Sequence, residues 1–322
     1  MAGAAGLGLA GPSLAAPSPG ALRADTSAAA PGNLPLGKLK GVADLTGRMI
    51  ARVMVNGEGP FRFVVDTGAN TSVISDDLAT RLKLPIGRTA MVHGISGVQP
   101  AGTVNLRSLK SGFLDIPVRA VPVLKASDLG SDGILGIDAF VDRRIVLDMT
   151  NNEVTVEQSN KPWRELHMPT ASITSEVTVE ARQRFGQLTI IDVDAGSAPA
   201  TCFIDTGAEV SVGNEALRRN LRPHPPRPDQ HLPREVTIIG ATGQQAMGAL
   251  AIAPHVRLGG VRFNSLPLAF ADLHTFDLWG LGSTPALMLG MDLLRLFEMV
   301  AVDFGRRQVT FRLALAEGPT FA

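Results

Sequence analysis

The sequence predicts a mainly β protein built from two similar lobes that are related by a pseudo-twofold axis. Its 322 residues include 34 glycines and 22 prolines, a turn-rich composition that favours short strands over long helices. The tripeptide Asp-Thr-Gly occurs twice, at residues 66–68 and 205–207, each time after an apolar run and before alanine. The two copies lie 139 residues apart, and the segments around them align at that constant offset. A repeat of this length predicts two copies of one β unit.

Composition indicates a globular protein with hydrophobic cores. The chain is 45% hydrophobic and 19% charged, and its formal net charge at pH 7 is zero, which gives no support for nucleic acid as a partner. No run of 18 or more apolar residues occurs, so no membrane-spanning segment is predicted. Cys202 is the only cysteine, so no intrachain disulfide or cysteine-based zinc site is expected. His224 and His231 lie in a proline-rich insertion at 222–234 without further ligands at suitable spacing, so we predict a solvated loop there and no metal.

The N-terminal segment differs in composition from the rest of the chain. Residues 1–30 are almost entirely Ala, Gly, Pro, Ser and Leu, and residues 6–16 resemble the apolar part of a secretory signal. No Lys or Arg precedes them, although a signal normally carries such a charge. Either the basic part of a signal is missing from the given sequence, or the segment is a disordered tail. We favour the first interpretation, which predicts an exported protein, periplasmic or secreted; the second fits a cytoplasmic one.

Each aspartate is predicted to emerge from a β-hairpin. Residues 49–55 and 61–65 read as strands around the turn signal Asn56-Gly57, and the second strand leads into Asp66. In the second half, residues 187–193 and 201–204 are the strands, the turn spans 194–197, and Asp205 follows. Gly68 and Gly207 then allow the backbones of the two loops to approach closely, because they carry no Cβ.

The segments that follow are also repeated. Ser75 and Asn214 are predicted N-caps of short helices at 76–82 and 215–219. Glycine-flanked hairpin tips follow at 93–97 and 238–243. Each half closes with a buried strand that ends in glycine, a short helix and a final hairpin. Asp138 and Asp292 occupy the same place in both halves, and we interpret them as structural hydrogen-bonding groups. The halves join around residues 158–169, near Trp163.

This ordered set of segments resembles the aspartic proteases, and within them the retropepsin-like group found in retroviruses and in many bacterial proteins. The likeness covers residues 47–155 and 187–311. Retropepsins are usually homodimers that contribute one aspartate per subunit, whereas pepsin-like enzymes hold both in one chain. This chain looks like two retropepsin-like units fused in the pepsin manner. The resemblance implies two acid-protease β-barrel lobes at 41–160 and 181–322, a linker at 161–180, and a signal-like or disordered segment at 1–40.

The chain departs from the pepsin-like pattern in two ways. Ala69 and Ala208 follow the Asp-Thr-Gly triplets where pepsins usually carry serine. The chain contains no tyrosine, so the flap tyrosine of pepsins has no counterpart. Both departures point to the retropepsin side and to a working pH less acidic than that of pepsin.

The resemblance implies an aspartic endopeptidase in which Asp66 and Asp205 share a proton and activate a water. Thr67 and Thr206 would form a hydrogen-bonded clasp, and Gly68 and Gly207 would offer N–H groups to the carboxylates. The hairpin tips would act as flaps over an extended peptide, through Gly94, Ile95, Gly97, Ile239, Gly240 and Gly243. Candidate pocket residues are Ile95, Val98, Ile134, Ile239 and Leu289. The expected partner is a polypeptide substrate, and no metal or organic cofactor is implied.

Two other interpretations stay open. The first is a catalytically silent module that uses the same fold to bind peptides or to dimerise, although both Asp-Thr-Gly triplets are intact. The second keeps catalysis but pairs each half with its twin in a homodimer. A monomer is the simpler prediction, because the linker holds the two halves at high effective concentration. Asp-Thr-Gly as coincidental turn sequence does not explain the repeated downstream segments.

Overall fold

The computed structural model describes residues 2–3, 7–9, 39–43, 47–116, 119–159, 174–184, 187–195, 199–228, 232–258 and 261–314. Most of the signal-like segment, Trp163, His231 and the turn residues Gly196 and Ser197 lie outside these residues. Within the described part, none of the helices combines the length and the apolar character needed to cross a bilayer.

The described chain is mainly β, which confirms the predicted fold class. Three short strands come first: β1 Ala2–Gly3, β2 Leu7–Leu9 and β3 Leu39–Ala43. The strands of the first half are β4 Met49–Val55, β5 Glu58–Val65, β6 Val73–Ser75, β7 Thr89–Gly94, β8 Gly97–Val104, β9 Leu109–Ser111, β10 Leu114–Ile116, β11 Val121–Leu124, β12 Gly133–Leu135, β13 Arg143–Asp148 and β14 Glu153–Gln158. Its helical segments are α1 Asp76–Arg81, α2 Ala126–Leu129 and the 3₁₀ helix Ile137–Ala139.

The second half repeats this order. Its strands are β15 Thr174–Arg184, β16 Gln187–Ala195, β17 Pro199–Ile204, β18 Val212–Gly213, β19 Glu235–Gly240, β20 Gln245–Leu258, β21 Val261–Phe270, β22 Ala286–Leu289, β23 Met299–Asp303 and β24 Gln308–Ala314. Its helices are α3 Glu215–Leu221, α4 His274–Leu278 and α5 Met291–Leu294.

Local sequence explains the hairpin turn of the first lobe and the N-terminus of the first helix in each lobe. Asn56 and Gly57 both adopt positive φ, at 54° and 86°, as a tight hairpin turn between β4 and β5 requires. The Ser75 hydroxyl accepts a hydrogen bond from the Leu78 amide and so caps α1. Asn214 Oδ1 accepts in the same way from the Leu217 amide at α3. Both caps are as predicted, and each fixes the chain direction just after an Asp-Thr-Gly loop.

A six-stranded antiparallel sheet joins the two halves, in the order β3–β14–β13–β23–β24–β15. Its centre is the pairing of β13 with β23, one strand from each half. The largest cluster of buried apolar side chains runs from the first lobe through this sheet into the second; Val53, Leu147, Val300 and Leu258 belong to it. The two lobes therefore share a continuous core, which holds their loops in a fixed relation.

The base sheet also buries an ion pair between the halves. Arg144 on β13 is 1% exposed, and its Nη2 atom lies 2.7 Å from Asp303 Oδ2 on β23. The second Asp303 oxygen accepts from the Arg306 amide at 2.9 Å and from the Ser159 hydroxyl. Glu157 Oε2 lies 3.7 Å from Arg144 Nη1. Because these charges are removed from water, the arginine is needed to neutralise the carboxylates.

Candidate active site

Each Asp-Thr-Gly loop is positioned by a strand from the far end of its own half. Strand β12 lies parallel to β5 and pairs Val65 with Leu135, and β22 lies parallel to β17 and pairs Ile204 with Leu289. The amide of Asp66 donates to the Leu135 carbonyl and the amide of Asp205 to the Leu289 carbonyl, both at 2.9 Å. The same geometry therefore holds both aspartates.

Steric crowding requires glycine at the position that follows each of these strands. A Cβ on Gly136 would lie 2.7 Å from the Ala69 carbonyl oxygen, and one on Gly290 would lie 2.6 Å from the Val210 carbonyl carbon. Backbone atoms cannot move aside cheaply, so only glycine lets the Asp-Thr-Gly loop pass so close to its supporting strand.

Asp138 and Asp292 stabilise the same loops through hydrogen bonds to a serine that follows each Asp-Thr-Gly triplet. The Asp138 carboxylate accepts from the amide and the hydroxyl of Ser72, with Oδ1 distances of 2.9 and 2.7 Å. Asp292 makes the equivalent bonds to Ser211, at 3.0 and 2.6 Å. Burial raises the pKa of both carboxyl groups, and the serine hydrogen bonds act against it. These contacts agree with the structural role that the sequence indicated.

The two Asp-Thr-Gly loops are clasped together by their threonines. The Thr67 amide donates to Thr206 Oγ1 and the Thr206 amide donates to Thr67 Oγ1, both at 3.1 Å. Each hydroxyl also donates across the axis: Thr67 Oγ1 to the Ile204 carbonyl at 2.7 Å, and Thr206 Oγ1 to the Val65 carbonyl at 2.6 Å. All four bonds are buried, so the clasp fixes the separation of the residues that precede the threonines.

The clasp should contribute measurably to stability. Thr206→Val keeps the side-chain shape but leaves the Val65 carbonyl and the Thr67 amide without their partner. We expect the free energy of unfolding to fall by about 2–4 kcal/mol, the cost of two buried groups left unsatisfied. Thr206→Ser is the matched control: it keeps the hydroxyl and should cost about 1 kcal/mol, the contribution of one buried methyl group. Equal losses for the two variants in urea unfolding would contradict this account of the clasp.

Asp66 and Asp205 meet at this clasp with fully buried side chains. A Cβ on Gly207 would overlap the Asp66 carboxylate, so the second loop lies directly against the first aspartate. Asp66 Oδ1 accepts from the amides of Gly68 and Ala69, at 2.8 and 3.0 Å. Asp205 Oδ1 accepts from Gly207 and Ala208, at 2.9 and 3.1 Å.

The second oxygen of each carboxyl group is buried without a hydrogen-bond donor among the described residues. Two ionised carboxylates can only accept, so neither can satisfy the other. A proton on one of them turns it into a donor, and the Asp66–Asp205 hydrogen bond then forms. The arrangement therefore favours a pair that holds one proton.

Burial raises the proton affinity of both groups, and their mutual interaction separates the two values. It raises the pKa of Asp66 from 3.8 to about 6, against the lowering effects of Asp205, the Gly68 and Ala69 amides, and the charge of Arg48. Burial, followed by the charge of Asp66, raises the pKa of Asp205 well above 3.8. The pair titrates as a unit, and at intermediate pH the proton resides mainly on Asp205.

The predicted flap tips lie at the turns of two hairpins, β7–β8 and β19–β20, and these turns contact each other. The Ser96 hydroxyl donates to the Gln245 carbonyl at 2.8 Å, and the Gln99 side-chain amide donates to the Thr242 carbonyl at 3.0 Å. A Cβ on Gly94 would collide with the Thr242 hydroxyl. The two hairpins, called flap 1 and flap 2 below, therefore close over the space between the lobes.

Flap 1 also docks on the second lobe. The Ile95 carbonyl accepts from the His274 amide at 2.7 Å. The His93 and His274 rings stack with their centroids 5.4 Å apart, and His93 Nδ1 lies 3.1 Å from His274 Nε2. The Ile95 side chain is fully buried and packs against Gly240 of flap 2. This flap is held in the closed position by contacts at its tip.

A cavity of about 40 Å³ remains beside Asp66. It can hold water but is too small for a peptide. Its lining includes Ile134, Ile239 and Gly240 from the predicted site, together with Arg48 and Asp128. The sequence offered no signal for Arg48 and Asp128, because neither belongs to a repeated motif. A larger cavity of about 320 Å³ lies elsewhere, lined by Asn70, Asp138 and Phe304 among others, and contains neither Asp66 nor Asp205.

The remaining candidate residues lie outside this cavity. Ile95 belongs to the buried core, Val98 is 41% exposed, and Leu289 lines a separate apolar cavity with Leu266. Gly243 lies against the Asp128 carboxylate, and a Cβ on Gly97 would meet open space. Of the five predicted pocket residues, the structure thus brings Ile134 and Ile239 to the space next to Asp66.

Comparison with known families agrees with this geometry. A family model described as aspartyl protease matches residues 51–139 and 186–293, one match in each half and together more than half of the chain. Each match contains one Asp-Thr-Gly loop and the returning strand of the hairpin that leads into it. A search of curated proteins gives no significant match. The chain therefore belongs to the aspartyl protease family, with two retropepsin-like regions in tandem.

Proposed function

We propose that the protein is an aspartic endopeptidase that hydrolyses peptide bonds with a water activated between Asp66 and Asp205. The observation that carries the proposal is the buried carboxyl pair, in which each group has one oxygen held by two amides and one oxygen without a protein donor among the described residues. Both groups come from one chain, so a monomer can carry the complete pair.

The proton affinities assign the roles. Asp66, with a pKa of about 6, is the group that ionises first and serves as the general base. Asp205, whose pKa is raised further by burial and by the charge of Asp66, holds the proton and serves as the general acid. Ala69 and Ala208 offer no side-chain hydroxyl to these carboxylates. The effect of burial on the pKa of Asp66 is opposed by the hydrogen bond with Asp205, by the Gly68 and Ala69 amides and by the charge of Arg48.

The reaction then proceeds in two balanced steps. Asp66 takes a proton from the water as the water oxygen bonds to the substrate carbonyl carbon, and Asp205 gives its proton to the carbonyl oxygen. The resulting tetrahedral diol collapses when Asp66 returns its proton to the amide nitrogen and one diol hydroxyl returns a proton to Asp205. The carbon–nitrogen bond breaks, a carboxylic acid and an amine are released, and the pair regains its starting state.

The pKa shifts predict how activity depends on pH. The base must be ionised, so activity should rise as pH increases through about 6. The acid must be protonated, so activity should fall once pH passes the raised pKa of Asp205. We therefore expect a bell-shaped profile with its maximum above pH 6. Incubation with a diverse peptide mixture from about pH 2 to 9, with cut sites mapped by mass spectrometry, measures it.

The same experiment separates this proposal from the alternative. Cleavage with a maximum at pH 3–4 would contradict the assigned proton affinities. A folded protein that cuts no peptide at any pH, while binding peptides, would favour a catalytically silent module.

A further inference from the structure

The two aspartates lie in loops of the same sequence and nearly the same geometry, although a pair that shares one proton has only one charged member. Both side chains are fully buried. Asp66 Oδ1 accepts from two loop amides at 2.8 and 3.0 Å, and Asp205 Oδ1 accepts from two at 2.9 and 3.1 Å. These contacts favour neither aspartate, so a difference between them has to come from residues outside the repeated loops.

Strand register places Arg48 opposite Asp66. Strands β4 and β5 are antiparallel and pair Ile50 with Val64. In an antiparallel pair, each step back along one strand corresponds to a step forward along the other. When this register is continued by two residues beyond Ile50 and Val64, the residues opposite each other are Arg48 and Asp66.

The register of the second half places an uncharged residue opposite the other aspartate. Strands β16 and β17 are antiparallel and pair Thr189 with Phe203. Two further steps lead to Gln187 and Asp205. Arg48 and Gln187 also lie 139 residues apart, which is the constant offset of the repeat. The position opposite the aspartate is therefore an arginine in the first half and a glutamine in the second.

The Arg48 guanidinium is held beside the carboxyl pair. Its Nη1 atom donates to the Leu129 carbonyl at 3.1 Å, and a Cβ on Gly130 would lie 3.1 Å from its Nη2 atom. Arg48 and Asp66 line the same cavity of about 40 Å³. A cation near a buried carboxyl group favours the ionised form of that group. Burial raises the pKa of Asp66, and the charge of Arg48 is among the influences that lower it.

The other groups around the pair do not have this effect. Asp128 also lines the cavity, but a carboxylate there opposes the ionisation of a neighbouring aspartate. Flap 2 contributes residues 239–241 to the lining, and none of them is titratable. Burial and the charge of Asp66 raise the pKa of Asp205, and the groups that lower it are two loop amides. A cation therefore assists the ionisation of Asp66 only.

We propose that Arg48 decides which aspartate of the pair is ionised: its guanidinium stabilises the carboxylate of Asp66 and thereby leaves the shared proton on Asp205. Arg48 is thus a positioning residue, which acts through Asp66 and takes no part in bond making. The inference rests on the proposed function for the roles of base and acid, but the position of the proton can be measured without hydrolysis.

The test follows the two carboxyl groups by carbon-13 NMR in the full-length protein, with the signals assigned through Asp66→Asn and Asp205→Asn. In the wild type, Asp66 should ionise before Asp205. Arg48→Gln gives both halves the same residue at this position, so the two titration midpoints should move closer together. The Asp66 midpoint should rise by at least about 0.5 pH unit, less than for a cation in direct contact because water screens the half-buried guanidinium.

Exchanging the two residues tests the proposal most strictly. Arg48→Gln combined with Gln187→Arg places the cation opposite Asp205, which should then ionise first. Arg48→Lys keeps the charge and should keep the wild-type order. Arg52→Gln is the matched control, because it removes one positive charge from an exposed position of the same strand, and both midpoints should stay unchanged. Circular dichroism checks that each variant is folded.

An Arg48→Gln variant with an unchanged Asp66 midpoint, or an exchanged variant in which Asp66 still ionises first, would overturn the proposal. In Arg48→Gln, the acid limb of kcat/KM for a cleaved peptide should also move to higher pH, whereas structural damage would lower the rate at every pH. An inverted order in a protein that cuts no peptide would retain the role of Arg48 and reject the protease. Cleavage together with unmoved midpoints would retain the protease and reject the role of Arg48.

Discussion

Replacing either Asp66 or Asp205 by asparagine is expected to lower peptide hydrolysis by roughly 10²–10⁴-fold, with the fold unchanged. Asparagine has the same shape, and its side-chain oxygen can still accept from the loop amides that hold Oδ1. It can neither take a proton from water nor give one to the carbonyl oxygen. Rates should be compared on one cleaved peptide, at the wild-type optimum, with each variant checked by circular dichroism.

A matched surface substitution provides the control. Asp115 is 69% exposed and pairs only with Lys110 among the contacts that the structure describes. Asp115→Asn removes one negative charge from the first half, as Asp66→Asn does, and should leave the rate unchanged. If one of Asp66→Asn and Asp205→Asn retained most of the wild-type rate, the shared role of the pair would be wrong.

The same variants should differ from the wild type in how stability depends on pH. The folded pKa of both aspartates is raised above the unfolded value, so they favour the folded state most at low pH. That contribution is lost as pH rises through about 6 for Asp66 and through the higher pKa for Asp205. Each asparagine variant lacks one such group, so its free energy of unfolding should fall less steeply between pH 4 and 6, with a difference on the order of 1 kcal/mol or more.

Replacing Arg144 by methionine is expected to lower the free energy of unfolding by about 3–5 kcal/mol. The change removes the guanidinium that lies 2.9 Å from Asp303 through Nε and 2.7 Å through Nη2. Asp303 is 4% exposed and would be left buried without this partner. Because the pair links β13 to β23, the loss should weaken the sheet that joins the two lobes.

An exposed arginine serves as the control for this prediction. Arg257 also contacts a carboxylate, with Nη2 at 3.2 Å from Asp194 Oδ2, but its side chain is 54% exposed. Arg257→Met should cost less than about 1 kcal/mol, as expected for a surface ion pair. If urea unfolding showed similar losses of unfolding free energy for Arg144→Met and Arg257→Met, the stabilising role assigned to the buried ion pair would be contradicted.

The sequence was sufficient for the parts of the fold that depend on local or repeated patterns. The Asn56-Gly57 turn, the Ser75 and Asn214 caps and the glycines at 136 and 290 each follow from steric or hydrogen-bonding needs within a few residues. The duplication of Asp-Thr-Gly indicated that two aspartates meet, because two similar units tend to pack about a twofold axis.

Contacts that have no repeated counterpart could not be predicted. The His93–His274 stack and the position of Arg48 and Asp128 beside Asp66 join segments that are far apart in sequence and that differ between the halves. The Arg144–Asp303 pair depends on the register of β13 against β23, which no local pattern specifies. The pairing of Ala2 and Gly3 with β7, and of Leu7–Leu9 with β19, was hidden by the signal-like composition of the N-terminal segment.

The central claim is that Asp66 and Asp205 hold one proton between them near neutral pH. Carbon-13 NMR of carboxyl-labelled protein, with the two signals assigned through the asparagine variants, measures this directly. The account predicts that the Asp66 signal titrates near pH 6 and that the Asp205 signal stays in its protonated position to higher pH. Two signals that titrate independently near 3.8, the ordinary value for aspartate, would contradict it.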